Sequence, residues 1–268
     1  MSGAVDPSSN GDASIVRAFF AAVQFLTRIP VPGGRDREAA AFAQDLRRGL
    51  AAFPLVGAGI GAFTAAVLWV FAHLLPFPVA VIAALAVEAI LTGAFHEDAV
   101  ADFCDAFGGG WTKDDVLRIL KDSRVGSFGV MGLMLAVALR ATGLMVLGSV
   151  GPAAAALIVS GALGRLVVVA LMALVPPVAA REGLSKDIGQ DATWATVSLA
   201  TLLIAPVLMF AASRDATALV IALFCLVVFV LWFRSYLLSR IGGVTGDCLG
   251  FAAYVGIVVT TLAFARVH

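Results

Sequence analysis

Uninterrupted apolar runs, several of them near twenty residues long, dominate this sequence and constrain what it can fold into. Wound as a helix at about 1.5 Å per residue, such a run matches the roughly 30 Å hydrocarbon core of a bilayer. The composition agrees: 61% of the 268 residues are hydrophobic and 13% charged, with a mean hydropathy of +1.00. A soluble domain would be about half apolar and a quarter charged. The expected fold class is therefore an all-α polytopic integral membrane protein, which excludes a secreted disulfide scaffold, a disordered chain and a soluble nucleotide-binding fold. Lys+Arg and Asp+Glu both total 18, so no basic surface argues for a nucleic-acid partner. The cysteines Cys104, Cys225 and Cys248 are an odd count without metal-ligand spacing and read as reduced packing residues.

About seven transmembrane helices are expected, at 50–75, 77–95, 128–150, 153–175, 194–212, 216–233 and 249–265. The run 16–26 is too short to span and is flanked by Arg17 and Arg28, which predicts an N-terminal interfacial or re-entrant helix. Residues 1–14 are small and polar with no basic cluster, so neither a signal nor a transit peptide is read there. A disordered start is expected, with 15–268 forming a single transmembrane catalytic domain. Gly57 with Gly61, and Gly161 with Gly164, have spacings that let helices approach closely in lipid. Pro206 is expected to kink the fifth span.

Charge sets the orientation. With these spans, fourteen of the 18 basic residues fall on one side, among them Arg35, Arg37, Arg181 and Lys186, while only Arg214 and Arg266 fall on the other. Arg140 and Arg165 lie within spans. The positive-inside rule then puts the N-terminus and the long loops in the cytoplasm.

One of those loops carries an unusual density of acids. The stretch 96–127 holds seven of the 18, and Asp98, Asp102 and Asp105 at i, i+4 and i+7 would project from one face of a helix continuing out of the second span. Like charges so close call for a cation, and carboxylates in this arrangement suit Mg²⁺, which takes one or two protein carboxylates and completes its octahedron with water and substrate phosphate. A solvated acidic helix face is the plainer alternative. The apolar residues between the acids argue for a partly buried helix instead. After Gly108-Gly109-Gly110 comes Thr112 with Asp115 three residues on, the pattern of a capping box opening a short amphipathic helix to Lys121. Asp122-Ser123-Arg124 then precedes the third span, with an arginine suited to bidentate phosphate contact. Asp247, among glycines before the last span, reads equally as a ligand-facing acid or a helix cap. Ser185, Lys186 and Asp187 form a further loop cluster.

The runs Phe95-His96-Glu97-Asp98, Asp102 to Asp105, Lys121-Asp122-Ser123-Arg124 with Gly126, Thr245-Gly246-Asp247 with Gly250, and Phe25-Leu26-Thr27-Arg28-Ile29-Pro30 resemble the cobalamin synthase (adenosylcobinamide-GDP ribazoletransferase) family in order and spacing across nearly the whole chain. Ala99 and Ala106 stand where that family commonly has glycine. The resemblance implies a multi-pass enzyme of the bacterial inner membrane with a cytoplasmic site. It would join adenosylcobinamide-GDP to α-ribazole or α-ribazole 5′-phosphate, release GMP and use Mg²⁺. It also implies roles: Asp98, Asp102 and Asp105, with Glu97, as metal ligands; Asp122 or Asp247 as a further ligand or proton acceptor; His96 as a base or simply an interface residue. Lys121, Ser123 and Arg124 would be the phosphate contacts.

Deeper in the membrane, Glu88, Arg140 and Arg165 are costly unless paired or facing a cavity. A Glu88–Arg165 pair is the expected arrangement, with Arg165 reaching substrate as the functional alternative. Rival readings are another Mg²⁺-dependent membrane phosphotransferase or prenyltransferase, and a transporter. The lipid bilayer is the expected surrounding, and a homo-oligomer is left open.

Overall fold

The structure, a computed structural model, describes residues 7–31, 38–178 and 192–266, with side chains from Ser14 onward. Arg35, Arg37, Arg181, Ser185, Lys186 and Asp187 lie outside the described residues. Among the described residues the elements are helical: α1 Pro7–Leu26, α2 Ala39–Gly49, α3 Phe53–Ala72, α4 Phe77–Thr92, α5 Phe95–Gly109, α6 Lys113–Ile119, α7 Ser127–Val146, α8 Val150–Leu174, α9 Trp194–Leu203, α10 Ala205–Arg240 and α11 Gly246–Phe264. One isolated parallel bridge, Pro177 to Val244, ties the chain after α8 to the turn before α11.

Among the described residues, five helices are long and apolar enough to cross a membrane: the continuous 39–72, α7, α8, α10 and α11. A sixth crossing results if α4 and α5 are one bent span. The expected seven are corrected on two counts. The second expected span ends early, because Gly93 (φ 72°) and Ala94 (φ 56°) both take left-handed backbone and turn α5 by 89° from α4. Sixteen residues of α4 reach about 24 Å. The acids of α5 therefore lie on a separate, transverse helix instead of a continuation of the span. The second correction concerns 194–233. Here α9 is only ten residues long, and Pro206 falls in the first turn of α10, where its missing N–H costs nothing, so it starts a helix instead of kinking one. The sixth expected span lies inside the 36-residue α10, which is bent at Asp215.

At the start of the chain, α1 begins at Pro7, so the end of the segment expected to be disordered is helical. Its short apolar part buries Ala18, Ala21, Ala22 and Leu26 while Ile15 and Val16 stay exposed. The backbone N–H of Arg28 donates to the Leu91 carbonyl at 2.7 Å, fixing the exit of α1 at the α4–α5 bend.

At the centre stands α8, with α3 on one side and α11 on the other. The expected glycine contacts form here. A Cβ on Gly57 or Gly61 would collide with the carbonyls of Gly161 and Leu157, and one on Gly256 would reach the Gly164 Cα at 2.9 Å. Backbones this close gain dispersion contact that lipid tails cannot supply. On the other flank α5 packs against α11, where Phe103 stacks on Phe251 with centroids 3.8 Å apart.

Candidate active site at the α5–α7 corner

The fifteen residues of α5 divide into two faces. His96, Ala99, Val100, Phe103 and Ala106 are buried, whereas Asp98 is exposed and Asp102 and Asp105 are half-buried. The helical period puts the three aspartates on one side, as expected. It puts His96 on the other, buried beside the Phe95 ring and lining a cavity of about 40 Å³ that Arg165 and Gly246 share. His96 is thus brought to the core side of α5 and not to the acid row. Glu97 points inward as well; its Oε2 is buried without a hydrogen-bond partner.

Among the described residues no three His, Cys, Asp or Glu side chains are arranged to hold a metal ion by themselves. Asp105 is already engaged by backbone. Its Oδ2 accepts the Gly126 N–H at 2.6 Å and its Oδ1 accepts the Gly129 N–H at 2.8 Å. The N-cap residue of α7 is Gly126, which has no side chain to cap with, so a carboxylate from α5 satisfies the orphan N–H groups and sits at the positive end of the helix. A Cβ at Gly129 would run into that carboxylate. Asp98, exposed, and Asp102, half-buried, share its face of the helix. Such a donor set fits Mg²⁺ held by one or two carboxylates with phosphates completing the shell, and does not fit an all-protein cage.

Beyond the glycine turn, α6 opens with the expected capping box: the Thr112 hydroxyl accepts from the Asp115 N–H at 3.2 Å and the Asp115 carboxylate accepts from the Thr112 N–H at 3.3 Å. Arg240, from the end of α10, donates to the Gly110 carbonyl at 2.7 Å and anchors this turn, a contact with no signal in the sequence. The α6–α7 link then runs beside Asp105. An open cleft of about 470 Å³ is lined by Asp105, Asp122, Arg124, Gly126, Ser127 and Phe128. Arg124 grips Asp122 through Nε at 2.9 Å and Nη2 at 2.6 Å, and its guanidinium holds the Asp122 carboxyl down at about 2. Lys121 and Ser123 are exposed next to them. Of the three expected phosphate contacts, Arg124 thus lines the same cleft as Asp105, while Lys121 and Ser123 flank it in the chain.

Asp247 lies in the first turn of α11. The cap there is Thr245, whose hydroxyl accepts from the Cys248 N–H at 3.4 Å, so Asp247 is not the capping residue. One turn on, Gly250 sits directly over the Ala99 methyl, so close that a Cβ on it would collide. This contact sets the first turn of α11, which carries Asp247, against the first turns of α5, which carry Asp98.

Below the site, the expected Glu88–Arg165 pair is not formed. Glu88 pairs with Arg140 instead, at 2.8 Å to each oxygen, and accepts from the Thr64 hydroxyl at 2.8 Å. Thr64 lies one helix away on α3, and nothing in the spacing pointed to it. Arg165 is 1% exposed, and among the described residues its hydrogen bond is a long one, 3.4 Å to the Gly161 carbonyl of its own helix. Its place beside Gly246 puts it under the amino end of α11.

The fold and this corner define a multi-pass helical membrane protein in which Asp105, Asp122 and Arg124 gather where two short helices meet the ends of its spans. The chain belongs to the Cobalamin-5-phosphate synthase family, whose model matches residues 18–265. Similar curated proteins include one from Ralstonia nicotianae, 38% identical over 249 residues and spanning 89% of this chain and 91% of its own length. Another, from Azorhizobium caulinodans, is 40% identical over 262 residues, with 92% and 96% covered. A third, from Leptothrix cholodnii, is 37% identical over 256 residues, with 90% and 94% covered. Each bears the name Adenosylcobinamide-GDP ribazoletransferase. No solved structure matches the chain.

Proposed function

We propose that the protein joins adenosylcobinamide-GDP to α-ribazole or its 5′-phosphate and releases GMP, at the cytoplasmic face of the bacterial inner membrane. The observation that carries this reading is the cleft in which Asp105, Asp122 and Arg124 meet, in a chain of this family whose relatives carry that enzyme name over nearly their full length. A hydroxyl oxygen of the ribazole attacks the phosphorus borne by the cobinamide arm. The bond from that phosphorus to the bridging oxygen breaks, and GMP departs with the electron pair. Such a step asks the protein mainly for position and charge neutralisation.

Asp98 and Asp102 are the residues that would hold Mg²⁺, which when bound neutralises the diphosphate. Asp105 keeps the start of α7 in register with them. Arg124 is already oriented by Asp122 and offers its remaining N–H groups to the GMP phosphate. While paired with Arg124, Asp122 is too acidic to take the nucleophile's proton well; the role of acceptor is assigned to Asp247, in the first turn of α11 beside the first turns of α5.

The test is GMP release by the full chain in nanodiscs, with both substrates and a Mg²⁺ titration. Activity should fall at least a hundredfold in Asp98→Ala or Asp102→Ala at unchanged yield of folded protein. Full activity in both variants would overturn the metal assignment, and no GMP release by the wild type under any metal would overturn the reaction.

A further inference from the structure

The far end of the bundle holds a second polar cleft. Both α7 and α11 start at the α5 corner and run about 30 Å to the other end of the molecule. There a cleft of about 440 Å³ is lined by Arg214, Asp215 and Arg266, with Val146, Leu147 and Phe264 among its apolar walls. These two arginines, 52 residues apart, are the two that the charge distribution assigns to the far surface, and the fold brings them to the same opening.

Their settings differ. Arg266 forks onto Asp215 at 2.7 and 2.8 Å, and Asp215, at the bend of α10, also caps the Ala218 N–H at 2.9 Å. Arg214 is exposed, with its guanidinium 5.0 Å from the centroid of the Phe210 ring. Two arginines and one aspartate leave one net positive charge in the cleft, which matches one phosphodiester. Its walls are apolar, and it opens where two candidate spans end, so an anion arriving with a hydrocarbon tail is matched on both counts. We infer that this cleft binds the phosphate headgroup of an anionic phospholipid, with Arg214 as its main charge contact and the start of an acyl chain against Val146, Leu147 and Phe264.

The experiment is native mass spectrometry of the full chain released from detergent, titrated with phosphatidylglycerol, with phosphatidylcholine and with inorganic phosphate. Phosphatidylglycerol should occupy one site on the wild type, and Arg214→Gln should weaken it about fivefold, the share of one surface arginine near anionic lipid. Arg214→Glu should abolish it. Arg266→Gln also disturbs the Asp215 bend, so the two Arg214 variants carry the test. Equal retention in wild type, Arg214→Gln and Arg214→Glu would overturn the inference. So would equal binding of phosphatidylcholine, or displacement of the lipid by inorganic phosphate at matching concentration, which would assign the cleft to a free anion. None of these readouts depends on GMP release.

Discussion

Arg140 donates to both oxygens of Glu88 at 2.8 Å, with each side chain about 5% exposed. This pair joins α4, whose end turns into α5, to α7, whose start is capped by Asp105 of α5. The three helices therefore form a closed circuit, pinned by an ion pair in the apolar interior and by a charge-assisted cap at its edge. The acids of α5 owe their position to both fastenings.

Breaking the interior fastening on one side leaves a buried charge without its partner, which costs about 3–5 kcal/mol. Glu88→Gln or Arg140→Gln should each lower the thermal midpoint in nanodiscs by several degrees. The double variant Glu88→Gln/Arg140→Gln should recover part of the loss, because the two charges of the pair are removed together. Additive losses in the double variant would show that the charge pairing is not what holds α4 to α7.

The edge fastening separates a cap from a metal ligand. Asp105→Asn keeps one acceptor oxygen for an α7 N–H and should retain most GMP release at an unchanged Mg²⁺ requirement. Asp105→Ala removes both acceptors and should cost about 1 kcal/mol of stability, within the usual span for a lost cap. A Mg²⁺ requirement raised tenfold or more in Asp105→Asn would identify Asp105 as a ligand.

The apolar runs and the period of the acids made the helical class and the common face of Asp98, Asp102 and Asp105 legible before any coordinates. The glycine spacings of Gly57 and Gly161 were legible too, since close approach in lipid requires small residues. The number of crossings was not. Hydropathy sees 77–95 as one run, whereas the left-handed turn at Gly93 and Ala94 is a backbone event to which an alanine gives no clue. Nor was the partner of Glu88 legible: two arginines stood at similar depth, and only the packing of α4 against α7 selects Arg140. Asp105 shows a third limit, because the need it serves arises 21 residues later, at a helix start that lacks a capping side chain.

At the centre, Gly161 faces Gly57 so closely that either Cβ would strike the opposite carbonyl. Neither atom can yield, since both belong to helix backbone. Gly161→Leu should push α3 from α8 at a cost of about 1–3 kcal/mol, as overpacking does elsewhere. Gly59 has open space around it, so Gly59→Leu should be near neutral. The paired melting midpoints decide the point, and equal losses in the two variants would mean that the α3–α8 approach does not limit stability.

The Asp122–Arg124 pair fixes a pH window. Asp122 is held at about 2, below its ordinary 3.8, chiefly by the side-chain hydrogen bonds from Arg124. A carboxylate depressed in the folded state contributes fully above its unfolded value and loses that contribution as pH falls through the folded value. The ordering effect of this pair on 121–127 should therefore persist at pH 4 and disappear only near pH 2. In Arg124→Gln the carboxyl should titrate near its ordinary value, and between pH 5 and 9 Asp122 should add no limb to the pH profile of GMP release in either protein. Carbon-13 shifts of labelled aspartate in nanodiscs would follow this directly. A wild-type midpoint near 4, or one near 2 that survives Arg124→Gln, would show that Arg124 does not set the acidity of Asp122, and would return Asp122 to contention as the acceptor of the nucleophile's proton.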